Sequence, residues 1–190
     1  MSCASVPEAR PPRCSALHLD TGAGQEDVAG REDAAGRPPR DDPPASMTFT
    51  DVSPGALADL RAVAGRAGIA TSRLSFVPVA APADSDAVIA GLPSPALVIN
   101  ATGLGKDAPG SPLTDRARFG PATLAWDLNY RGDLVFLRQA AAAGAQTRGG
   151  WDYFVAGWAG GLTAIAGTPF TADLLSRFTR AAAPYRPSLD

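Results

Sequence analysis

Two polar residues and two glycines follow a short apolar run near the middle of the chain. After residues 96–99 come Asn100, Thr102, Gly103 and Gly105. An apolar run of this length, bounded by prolines and glycines, predicts a strand that is buried on both faces of a parallel sheet. The polar residues then lie at the carboxyl end of the strand, where open α/β sheets bind their ligands. The alternative is a plain turn, in which the asparagine is a cap and the glycines serve the backbone geometry.

Two later segments extend this pattern. Residues 98–105 (VINATGLG) are followed by residues 125–140 (AWDLNYRGDLVFLRQA) and residues 149–167 (GGWDYFVAGWAGGLTAIAG). In residue types, order and spacing, the three blocks resemble the cofactor-binding half of shikimate/quinate dehydrogenases. The resemblance covers about residues 47–167 well and residues 16–24 weakly. It implies a Rossmann-like dinucleotide-binding domain and, for the parent enzyme, hydride transfer between NAD(P) and a cyclic hydroxy acid such as shikimate or quinate.

The resemblance also implies roles for individual residues on the cofactor side. Asn100, Thr102 and Gly103 would line the ribose and the nicotinamide. Leu128 would present its backbone to the nicotinamide, and Gly150 would give its carbonyl to the nicotinamide amide. These positions form the predicted cofactor site.

On the substrate side, the resemblance places Tyr130 and Tyr153 near the substrate pocket. Gly157 stands where the family usually has a glutamine that binds substrate hydroxyls, so its presence favours a different substrate or none. Gly132 and Val135 replace the proline and threonine of many members, and this departure leaves the local turn undetermined.

The predicted first strand and its glycine turn lie earlier in the chain. Gly22 and Gly24 look like the opening of a dinucleotide-binding turn. Asp27 occupies the position of the third glycine, and Val28 is the only large apolar side chain in residues 25–46. Without an apolar stripe a helix cannot pack on a sheet, so the first βα unit is predicted to be degenerate.

Four regions follow from this reading: a disordered leader at residues 1–15, the degenerate unit at residues 16–46, a Rossmann-like domain at residues 47–183 and a tail at residues 184–190. The Arg, Gly, Pro, Ala and Asp mixture before residue 47 suggests coding sequence that is partly out of frame or eroded. In the third region strands alternate with helices, which predicts an α/β fold with a doubly wound parallel sheet.

The elements of this domain are predicted in some detail. Strands are expected at residues 47–51, 74–79, 96–100, 123–128 and 145–148, and helices at residues 54–67, 84–92, 133–143, 152–167 and 171–183. Ser53 is the expected N-cap of the first helix, and Gly68 is its expected stop. The expected buried sides are Ala87, Val88 and Leu92 in the second helix and Leu134, Leu137 and Ala141 in the third, and Trp158 is assigned to the core.

Asp51 ends the strand at residues 47–51, where an acid accepts hydrogen bonds from the adenosine ribose. The same carboxylate would repel the 2′-phosphate of NADP, and no arginine stands at positions 52 or 53. The expected cofactor is therefore NAD, with NADP less favoured. The alternative is that Asp51 only begins the Ser53 cap region.

Composition excludes several functions. A formal net charge of −2 provides no basic face for nucleic acid. Cys3, Cys14 and the single histidine His18 lack the spacing of a metal site. Two stray thiols without a secretory signal favour the cytoplasm, and no apolar run is long enough to cross a membrane.

No catalytic residue is assigned. The family uses a lysine–aspartate pair on a substrate-binding domain, but Lys106 is the only lysine here and stands in the cofactor-side loop. A separate substrate-binding domain or chain is therefore a possible partner. Two other interpretations remain: a non-catalytic dinucleotide-binding or interaction remnant of a truncated or frameshifted gene, and a methyltransferase-like domain that binds S-adenosylmethionine.

We expect the purified chain to show no shikimate- or quinate-dependent reduction of NAD or NADP, because Lys106 is in the wrong loop to act as the base. Absorbance at the reduced-nicotinamide band measures this directly. Turnover that follows the protein peak through a sizing column would contradict the expectation.

Overall fold

The computed structural model describes residues 44–187, which form an α/β fold of the Rossmann type. The elements in chain order are β1 (Met47–Asp51), α1 (Pro54–Arg66), β2 (Leu74–Pro78), α2 (Pro82–Ala90), β3 (Leu97–Asn100), β4 (Leu124–Asp127), α3 (Val135–Ala142), β5 (Gln146–Arg148), α4 (Trp151–Ala166) and α5 (Ala172–Ala182). None of the helices in this range has both the length and the apolar character that a membrane crossing requires.

All strand pairs in residues 44–187 are parallel. β1 pairs with β2, with Met47 opposite Leu74. A second sheet has the order β3-β4-β5, with Leu97 opposite Leu124 and Leu124 opposite Gln146. The predicted parallel α/β class is confirmed. Within residues 44–187 the strands form a two-stranded sheet and a three-stranded sheet. The strand predicted near residue 16, the turn with Gly22 and Gly24, and the leader lie outside the described residues.

Helix α1 begins and ends where its sequence indicates. The Ser53 hydroxyl accepts a hydrogen bond from the Ala56 amide at 3.2 Å, and Pro54 occupies the first turn. Gly68, with φ of +70°, follows the last turn in the left-handed conformation that ends many helices. Both predictions are confirmed because caps depend on neighbours in sequence.

The main apolar core lies beside the three-stranded sheet. Its buried members are Ile89, Leu113, Ala117, Ala125, Phe136 and Ala140. The turn that contains Leu113 is tied to α2, since the Thr114 amide and hydroxyl both donate to the Asp86 carboxylate. The core therefore joins α2, α3, β4 and the long connection between β3 and β4.

The predicted buried sides of α2 and α3 are correct only in part, since Leu137 packs against the core and Val88 and Leu92 are half-buried. In α2 the buried residues are Ser85 and Ile89, while Ala87 is exposed. In α3 they are Phe136 and Ala140, whereas Ala141 is exposed. Both helices are short and carry apolar residues on more than one side, so periodicity alone does not select the face that meets the sheet.

Leu134 is buried, as predicted, but not as part of a helix. It precedes α3 with φ of +44° and ψ of +44°, a left-handed conformation that is unusual for leucine. This position lets the chain turn into α3 while the side chain stays in the interior, where only 4% of the residue is exposed.

Helix α4 buries a narrow stripe formed by Trp151, Val155, Ala159 and Thr163. The assignment of Trp158 to the core is wrong, because most of this side chain is exposed. Seven residues place Trp151 and Trp158 on nearly the same side of a helix. However, Trp151 lies in the first turn against the strand ends, and two turns later that side of α4 reaches solvent. Helix α5 packs on α4. Its N-cap is Thr171, whose hydroxyl accepts a hydrogen bond from the Leu174 amide at 3.2 Å.

Candidate functional site

The carboxyl ends of β3, β4 and β5 meet at one edge of the three-stranded sheet, because the strands are parallel. Asn100 and Asp127 stand opposite each other as the last residues of β3 and β4. The Leu128 amide donates to the Asn100 carbonyl at 3.0 Å, and the Gly150 amide donates to the Asn129 carbonyl at 3.0 Å. The structure thus brings together Asn100, Leu128 and Gly150, three of the predicted site positions, and we call this edge the strand-end site.

Asn100 and Thr102 hold the loop after β3. The Asn100 Oδ1 atom accepts hydrogen bonds from the Thr102 amide at 3.0 Å and from the Thr102 hydroxyl at 2.7 Å. The Thr102 Oγ1 atom accepts in turn from the Leu104 amide at 3.2 Å, and the Gly103 carbonyl accepts from the Asp107 amide at 2.8 Å. Asn100 therefore has the capping role that the plain-turn alternative predicts. This role uses only its Oδ1 atom, and the Asn100 Nδ2 atom has no hydrogen-bond partner among the described residues.

Asp127 is a buried acid that sequence reasoning did not assign to the site. One oxygen, Oδ1, accepts from the Asn129 amide at 2.9 Å. The other, Oδ2, has no hydrogen-bond partner among the described residues, and neither has the buried Asn100 Nδ2 atom across the strand pair. The sequence feature that could have identified Asp127 is an acidic residue at the end of a buried strand, close to an asparagine.

Burial raises the pKa of Asp127 above 3.8, and this effect outweighs three influences that lower it. Those are the hydrogen bond from the Asn129 backbone and the nearby side-chain amides of Asn100 and Asn129. The Asn100 amide is thus close enough to favour the charged carboxylate, although the two groups are not within hydrogen-bonding geometry. The end of β4 therefore carries a carboxyl group whose charge is poorly solvated.

The loops after β3 and β4 interlock through glycine. The Asn129 Nδ2 atom donates to the Leu104 carbonyl at 3.0 Å. Gly132 has φ of +91°, and a Cβ atom there would lie 2.1 Å from the Gly105 carbonyl oxygen. Proline, with φ fixed near −65°, cannot occupy this conformation. The departure at Gly132 therefore corresponds to a different and tighter turn.

Gly150 makes an equally close backbone approach in the strand-end site. A Cβ atom on this residue would lie 2.1 Å from the Leu128 carbonyl oxygen. The Gly150 carbonyl accepts from the Phe154 amide at 2.8 Å in the first turn of α4. The two residues expected to present their backbones to nicotinamide are therefore in direct contact with each other.

Aromatic side chains cover the outer side of this contact. Tyr130 stacks on Phe154 with ring centroids 4.0 Å apart and lies 6.3 Å from Trp151. Tyr153 meets Trp126 edge-on at 5.9 Å and is 53% exposed. The two tyrosines predicted to lie near substrate therefore belong to two aromatic groups near the start of α4, Tyr153 with Trp126 and Tyr130 with Trp151 and Phe154.

Two cations lie near the ring of Tyr130. Lys106 Nζ is 6.0 Å and Arg131 Cζ is 5.7 Å from its centroid. Asp107 lies 2.7 Å from Lys106 and 3.9 Å from Arg131. Lys106 is therefore an ion-paired loop residue.

An open apolar groove of about 270 Å³ runs along α4, lined by Tyr153, Phe154, Gly157 and Trp158. A Cβ atom on Gly157 would meet nothing within 4 Å. The position of the family's glutamine thus has room for a side chain but provides no polar group to the groove.

Asp51 lies in the other sheet, at the end of β1. Its carboxylate accepts from the Ser53 amide at 2.7 Å, and no other described residue donates to it. Arg61 lies over the Phe76 ring, 4.8 Å from its centroid, and forms no ion pair with Asp51 in the described range. Beside α1 a small cleft of about 180 Å³ is lined by Pro54, Leu57, Ala58, Arg61, Phe76 and Pro78.

Taken together, the strand-end site offers backbone groups, an amide, a hydroxyl and aromatic surface. Residues 44–187 contain no group of three or more metal-ligating side chains. Such an arrangement is suited to holding a flat polar ligand, and it holds no free lysine beside a carboxylate for proton transfer.

Replacement of Gly150 tests the close approach. Gly150→Ala should lower the free energy of unfolding by at least about 2 kcal/mol, because its Cβ atom meets backbone that cannot move aside. The matched control is Gly157→Ala, which has open space and should raise the stability by about 1 kcal/mol. Urea unfolding followed by circular dichroism measures both, and equal effects of the two variants would contradict the geometry.

Asp127 should make stability depend on pH. Because burial raises its pKa above the unfolded value of 3.8, the folded chain takes up a proton first as the pH falls. The wild type should therefore gain stability relative to Asp127→Asn as the pH falls from 7, with the gain complete below the unfolded pKa of 3.8. Urea unfolding of both proteins at each pH measures this difference. A wild type that loses stability relative to the variant on acidification would contradict the raised pKa.

Comparisons with known proteins are sparse. No family model matches the chain. No curated protein matches it either. Among solved structures, the crystal structure of shikimate dehydrogenase from Aquifex aeolicus at 2.35 Å resolution is similar, with 15% sequence identity and a TM-score of 0.48 over 71% of this chain and 44% of that chain. This chain thus spans less than half the length of that protein.

Proposed function

We propose that this chain is the cofactor-binding portion of a shikimate/quinate dehydrogenase-like oxidoreductase that binds NAD in preference to NADP. The observation that carries the proposal is the contact between Leu128 and Gly150 at the carboxyl edge of a parallel sheet, beside the Asn100–Thr102 loop. These are the positions at which the sequence resemblance expects the nicotinamide. A bound NAD supplies a ring that accepts a hydride from an alcohol.

The residues present fit the nicotinamide end of such a cofactor. The Asn100 Nδ2 atom is a buried donor without a partner among the described residues, and a ligand oxygen is one group that would satisfy it. The Gly150 carbonyl already accepts one helical hydrogen bond, and a carbonyl oxygen can accept a second. Tyr130, held flat against Phe154, would limit the space on the outer side of the ring.

The groups for proton transfer are proposed to come from a separate substrate-binding domain or chain. Lys106 is paired with Asp107 at 2.7 Å, beside the ring of Tyr130. The Asp107 carboxylate thus already engages the only lysine in the sequence. In this proposal Tyr130 and Tyr153 face the substrate side, and the chain orients the cofactor for a reaction completed by its partner.

Asp51 is proposed to select the cofactor. Its carboxylate is buried at the end of β1 and keeps one oxygen free of described donors, so it can accept from a ribose hydroxyl. The 2′-phosphate of NADP would meet this charge without a neutralising arginine, because Arg61 is placed over Phe76. One such contact costs on the order of 1–4 kcal/mol, and each 1.4 kcal/mol is tenfold in Kd.

Titration calorimetry with NAD and NADP tests the proposal. We expect the Kd for NAD to be lower by about tenfold or more. Asp51→Asn should reduce this preference, whereas the matched control Asp59→Asn, on the exposed side of α1, should leave it unchanged.

Four results would contradict the proposal. Equal affinity for NAD and NADP, or a preference that survives Asp51→Asn, would remove the role of Asp51. Binding of neither dinucleotide would leave the non-catalytic remnant, and binding of S-adenosylmethionine alone would favour the methyltransferase-like interpretation.

A further inference from the structure

The ends of β3 and β4 carry the same turn, built on two different side chains. The Asn100 Oδ1 atom accepts from the amide two residues later, that of Thr102, at 3.0 Å. The Asp127 Oδ1 atom accepts from the Asn129 amide at 2.9 Å in the same way. An amide oxygen therefore serves this turn as well as a carboxylate oxygen does. Because a buried carboxylate costs more free energy than a buried amide, the turn alone does not explain an acid at position 127.

The two side chains differ in their second polar atom. Asp127 is 0% and Asn100 is 2% exposed. The Asp127 Oδ2 atom and the Asn100 Nδ2 atom both lack a hydrogen-bond partner among the described residues. The two residues are opposite each other in the parallel register, so their side chains project from the same face of the sheet. A buried acceptor on one strand thus neighbours a buried donor on the next.

An asparagine at position 127 could not replace the acid in this respect. Its second polar atom would be an amide nitrogen, and two amide nitrogens are both donors. The Asn100 side chain is also among the groups that lower the pKa of Asp127, so its amide favours the charged carboxylate. The chemistry of the pair therefore specifies a carboxylate at the end of β4.

Within the described residues, the pKa of Asp127 is set by burial and by hydrogen bonds rather than by a charged neighbour. The surrounding loops and elements carry six charged residues, all exposed except Lys106, which pairs with Asp107: Lys106, Asp107, Arg131, Asp133, Arg148 and Asp152. The negative charge of Asp127 is thus left to act on the Asn100 amide.

We propose that Asp127 is a positioning residue of the strand-end site: its ionised carboxylate attracts the amide hydrogens of Asn100 and keeps this side chain oriented to donate to the ligand. With the charge in place, Nδ2 lies towards Asp127 and Oδ1 towards Thr102, and one N–H of Asn100 is offered to a ligand oxygen. This inference rests on the proposed function for the identity of the ligand, a nicotinamide dinucleotide. Asp127 itself is fully buried and acts through Asn100.

Protonation of Asp127 reverses this orientation. A neutral carboxyl group has an O–H donor, which competes with Thr102 for the Asn100 Oδ1 atom instead of attracting Nδ2. Ligand affinity therefore falls as the pH falls and Asp127 takes up a proton. Because the ligand favours the ionised form, its binding releases that proton.

An NMR titration of the ligand-free chain tests the positioning directly. We expect the Asn100 side-chain nitrogen and the Asp127 carboxyl carbon to shift together with pH, with one shared midpoint above 3.8. In Asp127→Asn the Asn100 side-chain signal should stay constant over this range. In the matched control Asp107→Asn, which removes an exposed carboxylate from the loop after β3, the transition should remain.

An Asn100 side-chain signal that stays constant while Asp127 titrates overturns the proposal, and so does one that shifts equally in Asp127→Asn. Circular dichroism shows whether Asp127→Asn folds. If it does not, the shared midpoint still decides the matter, since both of its signals come from the wild type.

Titration calorimetry with NAD at each pH tests the effect on the ligand. The Kd of the wild type should rise by about tenfold as the pH falls through the shared midpoint, because one hydrogen bond from Asn100 is lost. The Kd of Asp127→Asn should be high at every pH. A wild-type Kd that is the same on both sides of the midpoint overturns the proposal and leaves the proposed function standing. Binding of neither NAD nor NADP removes the proposed function, and the Asn100 titration then still decides whether Asp127 positions this side chain.

Discussion

The approach of the Gly150 backbone to the Leu128 carbonyl is the constraint on which the described site depends. A side chain at position 150 would overlap that carbonyl, so only glycine allows α4 to begin directly against the end of β4. Because α4 begins there, Trp151 is buried at the strand ends and Phe154 reaches Tyr130. The aromatic group and the groove along α4 follow from this starting point.

Polar groups at the strand ends are partly used for structure and partly left open. Asn100 holds its own loop through its oxygen, while its amide nitrogen and the second oxygen of Asp127 are both buried without a hydrogen-bond partner among the described residues. Unsatisfied buried polar groups reduce stability, and they are common where a protein binds a ligand. Asp127 thus combines a cost of burial with a place at the centre of the strand-end site.

Helix α4 extends from the strand-end site to solvent. Gly150 is its N-cap and its first turn carries aromatic residues beside the predicted nicotinamide position, while its later turns expose Trp158 and Ile165.

Local features could be read from the sequence alone. The cap at Ser53, the parallel α/β class and the placement of Asn100 at a strand end depend on neighbouring residues and on periodicity. The buried faces of α2 and α3, the exposure of Trp158 and the need for glycine at position 132 were decided by tertiary structure. These depend on which loop or strand a residue meets across the fold. The sequence pattern does not show which residues meet across the fold, because apolar residues on two sides of a helix are equivalent until one side packs against its neighbours.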